Sequence, residues 1–421
     1  MKNLILLLLL FVCFTSSGQL GMRIKQLKRN ADSLYYAGNY FEAVKYYLII
    51  ANNADFPLRK AHGFYGAACC LSLQGKRDSA IECLKSALKN GFNDKKHILV
   101  DTDLENIHNS KQWKTIVNNI KDQKTLNSNP LDANFHTEDI NHFWVAYKMA
   151  SKDTAHFKSI FTNLYFKNCS IGLNDYMGSK GGQIEDFIAF IKSAPKFYHG
   201  IQNLTLQINR LKPIFSASFQ KFKKLYNQAL FPDVYFLIGA FNAGGTVSSN
   251  GLLLGVDQEC KNKYIPLNEL SFQKQAAMDD FTVLPFTVAH ELIHFQQAGM
   301  KRDTTTLSYV IEEGMADFMA ELTGQSTANI VLYKWAKGKE KMIWERFKND
   351  MYLNRYYNWI SNHSTSSPDN LPDQGYWVGY QICKAYFDNA SDKQKAIYDM
   401  LHLADYKRFL QESKFDGIPK S

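Results

Sequence analysis

The chain has 421 residues, 45% of them hydrophobic and 21% charged. That length suits two or three domains, and that composition excludes wholesale disorder, a collagen-type repeat and, beyond residue 20, a membrane-spanning run. The net charge of +9, or +8 once Lys2 leaves with a leader, is dispersed without a Lys/Arg block. That excludes a nucleic-acid or lipid patch and leaves a weak preference for acidic partners.

Residues 1–18 read as a signal peptide. Lys2 supplies the positive start, Leu4 to Phe14 an 11-residue apolar run, and Ser16 and Gly18 the small positions before a cut at Gly18/Gln19. The run is too short for a spanning anchor. Val12 stands where a lipoprotein would carry a small residue before Cys13. The expectation is export to the periplasm or the extracellular space, with no transmembrane anchor after cleavage. Six cysteines remain: Cys69, Cys70, Cys83, Cys169, Cys260 and Cys383. No C-x-x-C pair occurs, so a cysteine-ligated zinc ribbon is excluded. Small buried thiols are favoured over disulfides, whose pairing a sequence does not assign.

Residues 20–120 read as helical repeats. Asn30–Tyr47 and Gly63–Leu84 look like two units, with Gly38 aligned to Gly75 and Ala43 to Ala80 at a shift of 37. In each unit a Gly ends one helix, and a small Ala lets the next pack closely. The pattern resembles the tetratricopeptide repeat with a three-residue insertion. A third, degenerate pair spans Leu104 to Val117 around Trp113. Two clear repeats are few, so the module should lean on a cap or on the next domain. It reads either as a groove for a protein partner or as a helical spacer. Residues 121–136, polar and carrying Pro130, read as a linker.

From residue 137 to 421 the pattern changes. Ile184–Phe197 and Leu204–Leu225 predict long amphipathic helices. Val234–Gly239 and Gly251–Val256 predict two strands, pairing as a hairpin with a long connection. A helical region then opens around Phe281. The fold class is α+β, mostly α with a small sheet.

Thr287–Gln296 contains the H-E-x-x-H motif. Residues four apart on a helix lie about 40° apart in angle and about 6 Å apart in rise, so His290 and His294 can chelate one cation. Glu291 can reach a water bound to that cation. The bare motif also fits a helix with two ordinary histidines, and the continuation decides between them. Eighteen residues separate His294 from Glu313, with Asp317 one turn further on and Ser308 placed to cap that helix. Glu313 supplies a third ligand and Asp317 a carboxylate to orient a histidine. Glu312 is the rival ligand, projecting about 100° away.

The spacing His290-Glu291-x-x-His294, then Glu313 and Asp317, resembles the gluzincin metallopeptidases. The region from Thr137 onward is similar to an uncharacterised bacterial family of predicted zinc-dependent proteases, through Leu230–Phe236, Gly244-Gly245-Thr246 and Gly375–Tyr380. The resemblance implies a zincin-like metallopeptidase domain holding one Zn²⁺ on His290, His294 and Glu313. In it Glu291 acts as general base on the zinc-bound water, and Asp317 orients His290. Tyr376, Tyr380 or His363 would steady the oxyanion. The expected function is an exported zinc metallopeptidase acting on a peptide or protein substrate. The alternative is a helical-repeat binding or scaffold protein with an inactive or structural zinc site.

Overall fold

The computed structural model describes residues 18–120, 127–324, 326–363, 367 and 369–419. The predicted leader lies outside the described residues except for Gly18. Among the described residues the chain is mostly helical with one four-stranded sheet. No helix among the described residues is long and apolar enough to cross a membrane.

Four helices open the described chain: α1 (Gly18–Tyr36), α2 (Tyr40–Asn53), α3 (Pro57–Leu73) and α4 (Arg77–Lys89). Gly38 and Gly75 adopt φ of 76° and 74° at the turns after α1 and α3, the left-handed conformation that a glycine takes without steric cost. Ala43 and Ala80 are fully buried where the following helix meets its neighbour. Two further helices, Glu105–His108 and Lys111–Asn119, lie where the third pair is expected. Trp113 joins Leu104, Ile107 and Ile116 in a hydrophobic cluster of this region's own. The region also leans on the rest of the chain. Arg59 donates from Nε to the Gly178 carbonyl at 3.0 Å and from Nη2 to that of Met177 at 3.2 Å. Gln183 Nε2 donates to Asn53 O at 2.9 Å, and Asp55 accepts from Ile184 N at 2.8 Å. All six cysteines of the described chain are free.

The linker expectation needs correcting in its second half; residues 121–126 lie outside the described residues. Phe231 N donates to Asn127 O at 2.7 Å, and Pro130 is buried. Phe135–His136 forms strand β1, paired parallel to β2 (Val234–Leu237). The polar composition misled because its side chains satisfy one another: Asn129 caps Leu131 N at 3.2 Å and bonds Asp132 at 3.0 Å. The turn is polar while the segment is packed.

The hairpin between the two predicted strands is also corrected. β3 (Gly245–Ser248) was not foreseen; it forms the antiparallel hairpin with β4 (Gly251–Gly255). β2 and β4 run parallel, in the order β1-β2-β4-β3. Every residue of β2 and β4 is buried, as parallel strands covered on both faces require, whereas β3 is polar, partly exposed and at the edge. The two long amphipathic helices are likewise divided. Ile184–Ser193 stops at Ala194, whose ψ of 51° precedes Pro195, and a new helix runs Pro195–Thr205. Pro213 opens Lys212–Leu225. Proline restricts the residue before it and suits a first turn, so the apolar period continues while the helix does not.

One core runs from Phe56 through the sheet to Phe415. Within it Leu284–Gln296, Thr306–Gly324 and Gln374–Asn389 pack as consecutive helical layers behind the sheet.

Candidate functional site

The helix Leu284–Gln296 begins after a 3-10 turn at Phe281–Val283 and carries Pro285 in its first turn. It is apolar on most sides and buried, which brings His290 and Glu291 in with it, 6% and 7% exposed. The helix Thr306–Gly324 crosses beside it. Ser308 is not its cap: Ser308 lies inside the first turn and donates to the Asp303 and Thr305 carbonyls, while Thr305 Oγ1 accepts from Ser308 N at 3.3 Å.

The crossing brings three donor atoms together. His290 Nε2 lies 3.0 Å from His294 Nε2, which lies 3.1 Å from Glu313 Oε2; the third side is 3.5 Å. The far nitrogens are already committed. His290 Nδ1 donates to Asp317 Oδ1 at 2.9 Å, and His294 Nδ1 donates to Gln297 Oε1 at 2.7 Å. Gln297 is itself fixed, since its Nε2 donates to the Glu312 carbonyl at 2.8 Å. In its neutral form each imidazole therefore turns an Nε2 lone pair inward. Two lone pairs and a carboxylate oxygen repel unless a proton or a cation sits among them, and the donor set suits Zn²⁺.

The electrostatics follow from this convergence. Burial disfavours a charged His290, yet bonds to Asp317 and Glu313 raise it well above the ordinary imidazole value. Burial alone would raise Glu313, but the two imidazoles hold it well below the usual carboxylate range. Glu291 is pushed up by burial. It stands against the start of β3, where a Cβ at Gly245 would lie 2.2 Å from its Oε1. Glycine there lets the sheet edge meet the carboxyl.

The remaining predicted residues divide. Asp317, fully buried, meets His290 and is held in turn by Asn329 Nδ2 at 2.8 Å and Tyr333 OH at 2.7 Å. Tyr376 stacks on His290 with ring centroids 5.9 Å apart and lines the same cleft. His363 also lines the cleft and contacts Asp373 at 3.2 Å. Tyr380 is turned away: it donates to the Glu321 carboxylate and packs on Phe318 and Tyr333. Glu312 pairs with Arg302 at 2.9 Å and is not among the three convergent donors. Gln297, Asn329, Tyr333 and Glu259 were not foreseen. Gln297 had a signal, being three residues beyond His294 on a continuing helical turn. The cleft encloses about 1060 Å³ between β3, the two histidines and Glu313.

Comparison with known proteins redirects the functional reading. A family model described as gliding motility protein GldB matches residues 119–417. It is not a metallopeptidase family, and it overturns the gluzincin resemblance. The expectation of a zinc metallopeptidase, a hydrolase cutting peptide bonds, is corrected with it. The physical reason is plain: helical spacing fixes where donor atoms meet and leaves open what they do once they meet. The chain is also similar to a curated chloroplastic protein of Arabidopsis thaliana. The two are 28% identical over 96 residues, which is 23% of this chain and 28% of that protein. The chain thus spans little more than a quarter of that relative's length. No solved structure matches. With the family match covering most of the chain and all of the site, the chain belongs to the gliding motility protein GldB family.

Proposed function

We propose that this chain is an exported component of a gliding-motility machinery that works by binding protein partners. We further propose that His290, His294 and Glu313 hold one Zn²⁺ in the cleft where a partner is received. The family supports the motility role, and its description as a family of envelope lipoproteins supports export. The metal reading is carried by one observation: both histidines have their outer nitrogens anchored, so their inner lone pairs and Glu313 converge on one point. Zn²⁺ bound there would add a divalent charge and an open coordination position to the cleft wall. Asp317 and Gln297 keep each imidazole in the tautomer that binds metal, and Tyr376 covers the His290 face. The paired helices α1–α4 are read as tetratricopeptide-like repeats forming a second partner-binding module in residues 20–120, ahead of the 137–421 domain.

Elemental analysis of the purified protein should find about one Zn²⁺ per chain. The content should fall to background in His294→Ala and Glu313→Ala and stay full in Glu312→Ala. Zinc retained in both ligand variants would remove the site. In the native cells, the Glu313→Ala allele should reduce colony spreading at unchanged protein level; normal spreading would detach the cleft from motility. Asp317→Asn and Gln297→Ala should each weaken zinc binding by about 10–100-fold, measured by chelator competition. Unaltered affinity in both would show that the anchoring bonds do not hold the donors.

A further inference from the structure

We propose that Glu259 and Asp279 form an acidic socket in the wall of the cleft that receives the lysine or arginine side chain of a partner protein's segment. This rests on the reading of the cleft as a partner-binding surface and names what that surface recognises.

Glu259 follows β4 and the short turn Val256–Gln258. It is only 3% exposed, yet it lines the cleft. Its Oε1 accepts from Thr287 Oγ1 at 3.1 Å, while its Oε2 has no partner among the described residues. Thr287 stands one turn before Glu291, so the Glu259 carboxyl is anchored about 6 Å along the helix from Glu291. Asp279 is tied to the same wall: its N–H donates to the Gln258 carbonyl at 2.8 Å, and its own carbonyl accepts from Lys261 N at 2.8 Å. Both residues line the cleft together with Gly244 and Thr287. A Cβ at Gly244 would lie 3.6 Å from Glu259 Oε1, so the strand edge stands against the carboxyl and glycine keeps that contact small, and an arriving cation would reach Oε2 by displacing part of this wall.

A half-satisfied carboxyl is a costly thing to bury, and an apolar residue would serve folding better. Burial and the charge of Asp279 push Glu259 up to about 8, with Glu291 adding to the strain. The Lys261 ammonium donates to the Gln275 carbonyl at 2.9 Å and partly offsets the upward push of burial on Asp279, while Lys180 and Lys274 also line the cleft. An ammonium or guanidinium arriving from outside would give Oε2 its donor and offset the repulsion among the carboxylates. A protein segment fits the surroundings. The cleft has room for several residues, and β3 presents its outer backbone edge beside it, so an extended segment can lie along the strand and reach inward with a long basic side chain.

The test uses the full-length mature protein and two acetylated, amidated peptides, Ala-Ala-Lys-Ala-Ala and Ala-Ala-norleucine-Ala-Ala, titrated by calorimetry. Norleucine keeps the stem and drops the charge. The lysine peptide should bind about 10-fold more tightly or better. Glu259→Gln should bring the two within about 2-fold, and Asp279→Asn should give an intermediate ratio. Equal affinities in the wild type, no binding of either peptide, or a lysine preference that survives in both variants overturns the proposal. Zinc measured on the same samples separates the two readings. Full zinc without lysine preference sinks the socket alone, and lysine preference without zinc sinks the metal site alone.

Discussion

Gly379→Ala should destabilise the protein by about 3–5 kcal/mol, near the upper end for a single methyl group. The helices Thr306–Gly324 and Gln374–Asn389 meet backbone to backbone. A Cβ at Gly379 would lie 1.7 Å from the Val310 carbonyl oxygen, and one at Gly314 would lie 2.0 Å from Tyr380 N. Neither obstacle is the tip of a flexible side chain, so the helices themselves would have to separate. Alanine gains about 1 kcal/mol in helix propensity over glycine, too little to offset such a clash. Separation would also move Glu313 and Tyr376, which these two helices carry to the cleft. Gly299, with nothing within 4 Å of its would-be Cβ, is the control, and Gly299→Ala should be close to neutral. Urea unfolding with zinc analysis reads both effects. A Gly379→Ala protein as stable as the wild type would mean that the helices do not approach as closely as described.

The donor geometry was legible because it depends on one helical period. His290 and His294 share a face by spacing alone, and Glu313 and Asp317 share another. Their meeting needed only two neighbouring helices. The anchoring of His294 by Gln297 was missed although the spacing of three residues offered a signal, because a glutamine at that spacing is as common on an ordinary helix. Tyr380 shows the opposite failure: it lies one turn from Tyr376, yet a bond to Glu321 takes its hydroxyl elsewhere. The strands were half legible. β2 and β4 announce themselves as apolar runs, but their parallel pairing is set by β3, a polar edge strand whose composition gives no sign of it. Function was the least legible, since the residues that carry metal-donor chemistry are the same whether the site turns over a substrate or holds a partner.

The loop that leads from β2 to β3 supplies the last expected result: Asp257→Ala should cost about 3–5 kcal/mol while the protein keeps its zinc. Ala240 and Phe241 both adopt positive φ, at 52° and 60°, where glycine or asparagine would be expected. Side chains in that conformation are strained unless their surroundings hold them. Asp257, fully buried, does the holding: it accepts from Gly239 N at 3.0 Å, from Phe241 N at 2.9 Å and from Tyr198 OH at 3.4 Å. Phe241 adds ring contacts to Phe190 and Phe197 at 5.6 and 5.3 Å. Alanine would leave two loop N–H groups and a buried hydroxyl without their acceptor, and the turn would relax toward negative φ. The same loop delivers Gly244 to the approach of Glu259 and Gly245 to the side of Glu291, so relaxation should disorder the sheet-side wall of the cleft. The metal donors sit on the two helices opposite and should be spared. Urea unfolding together with zinc content distinguishes the two walls. Zinc lost in parallel with stability would show that the loop and the donor helices form one cooperative unit, and a variant of wild-type stability would show that the turn is held without the Asp257 carboxylate.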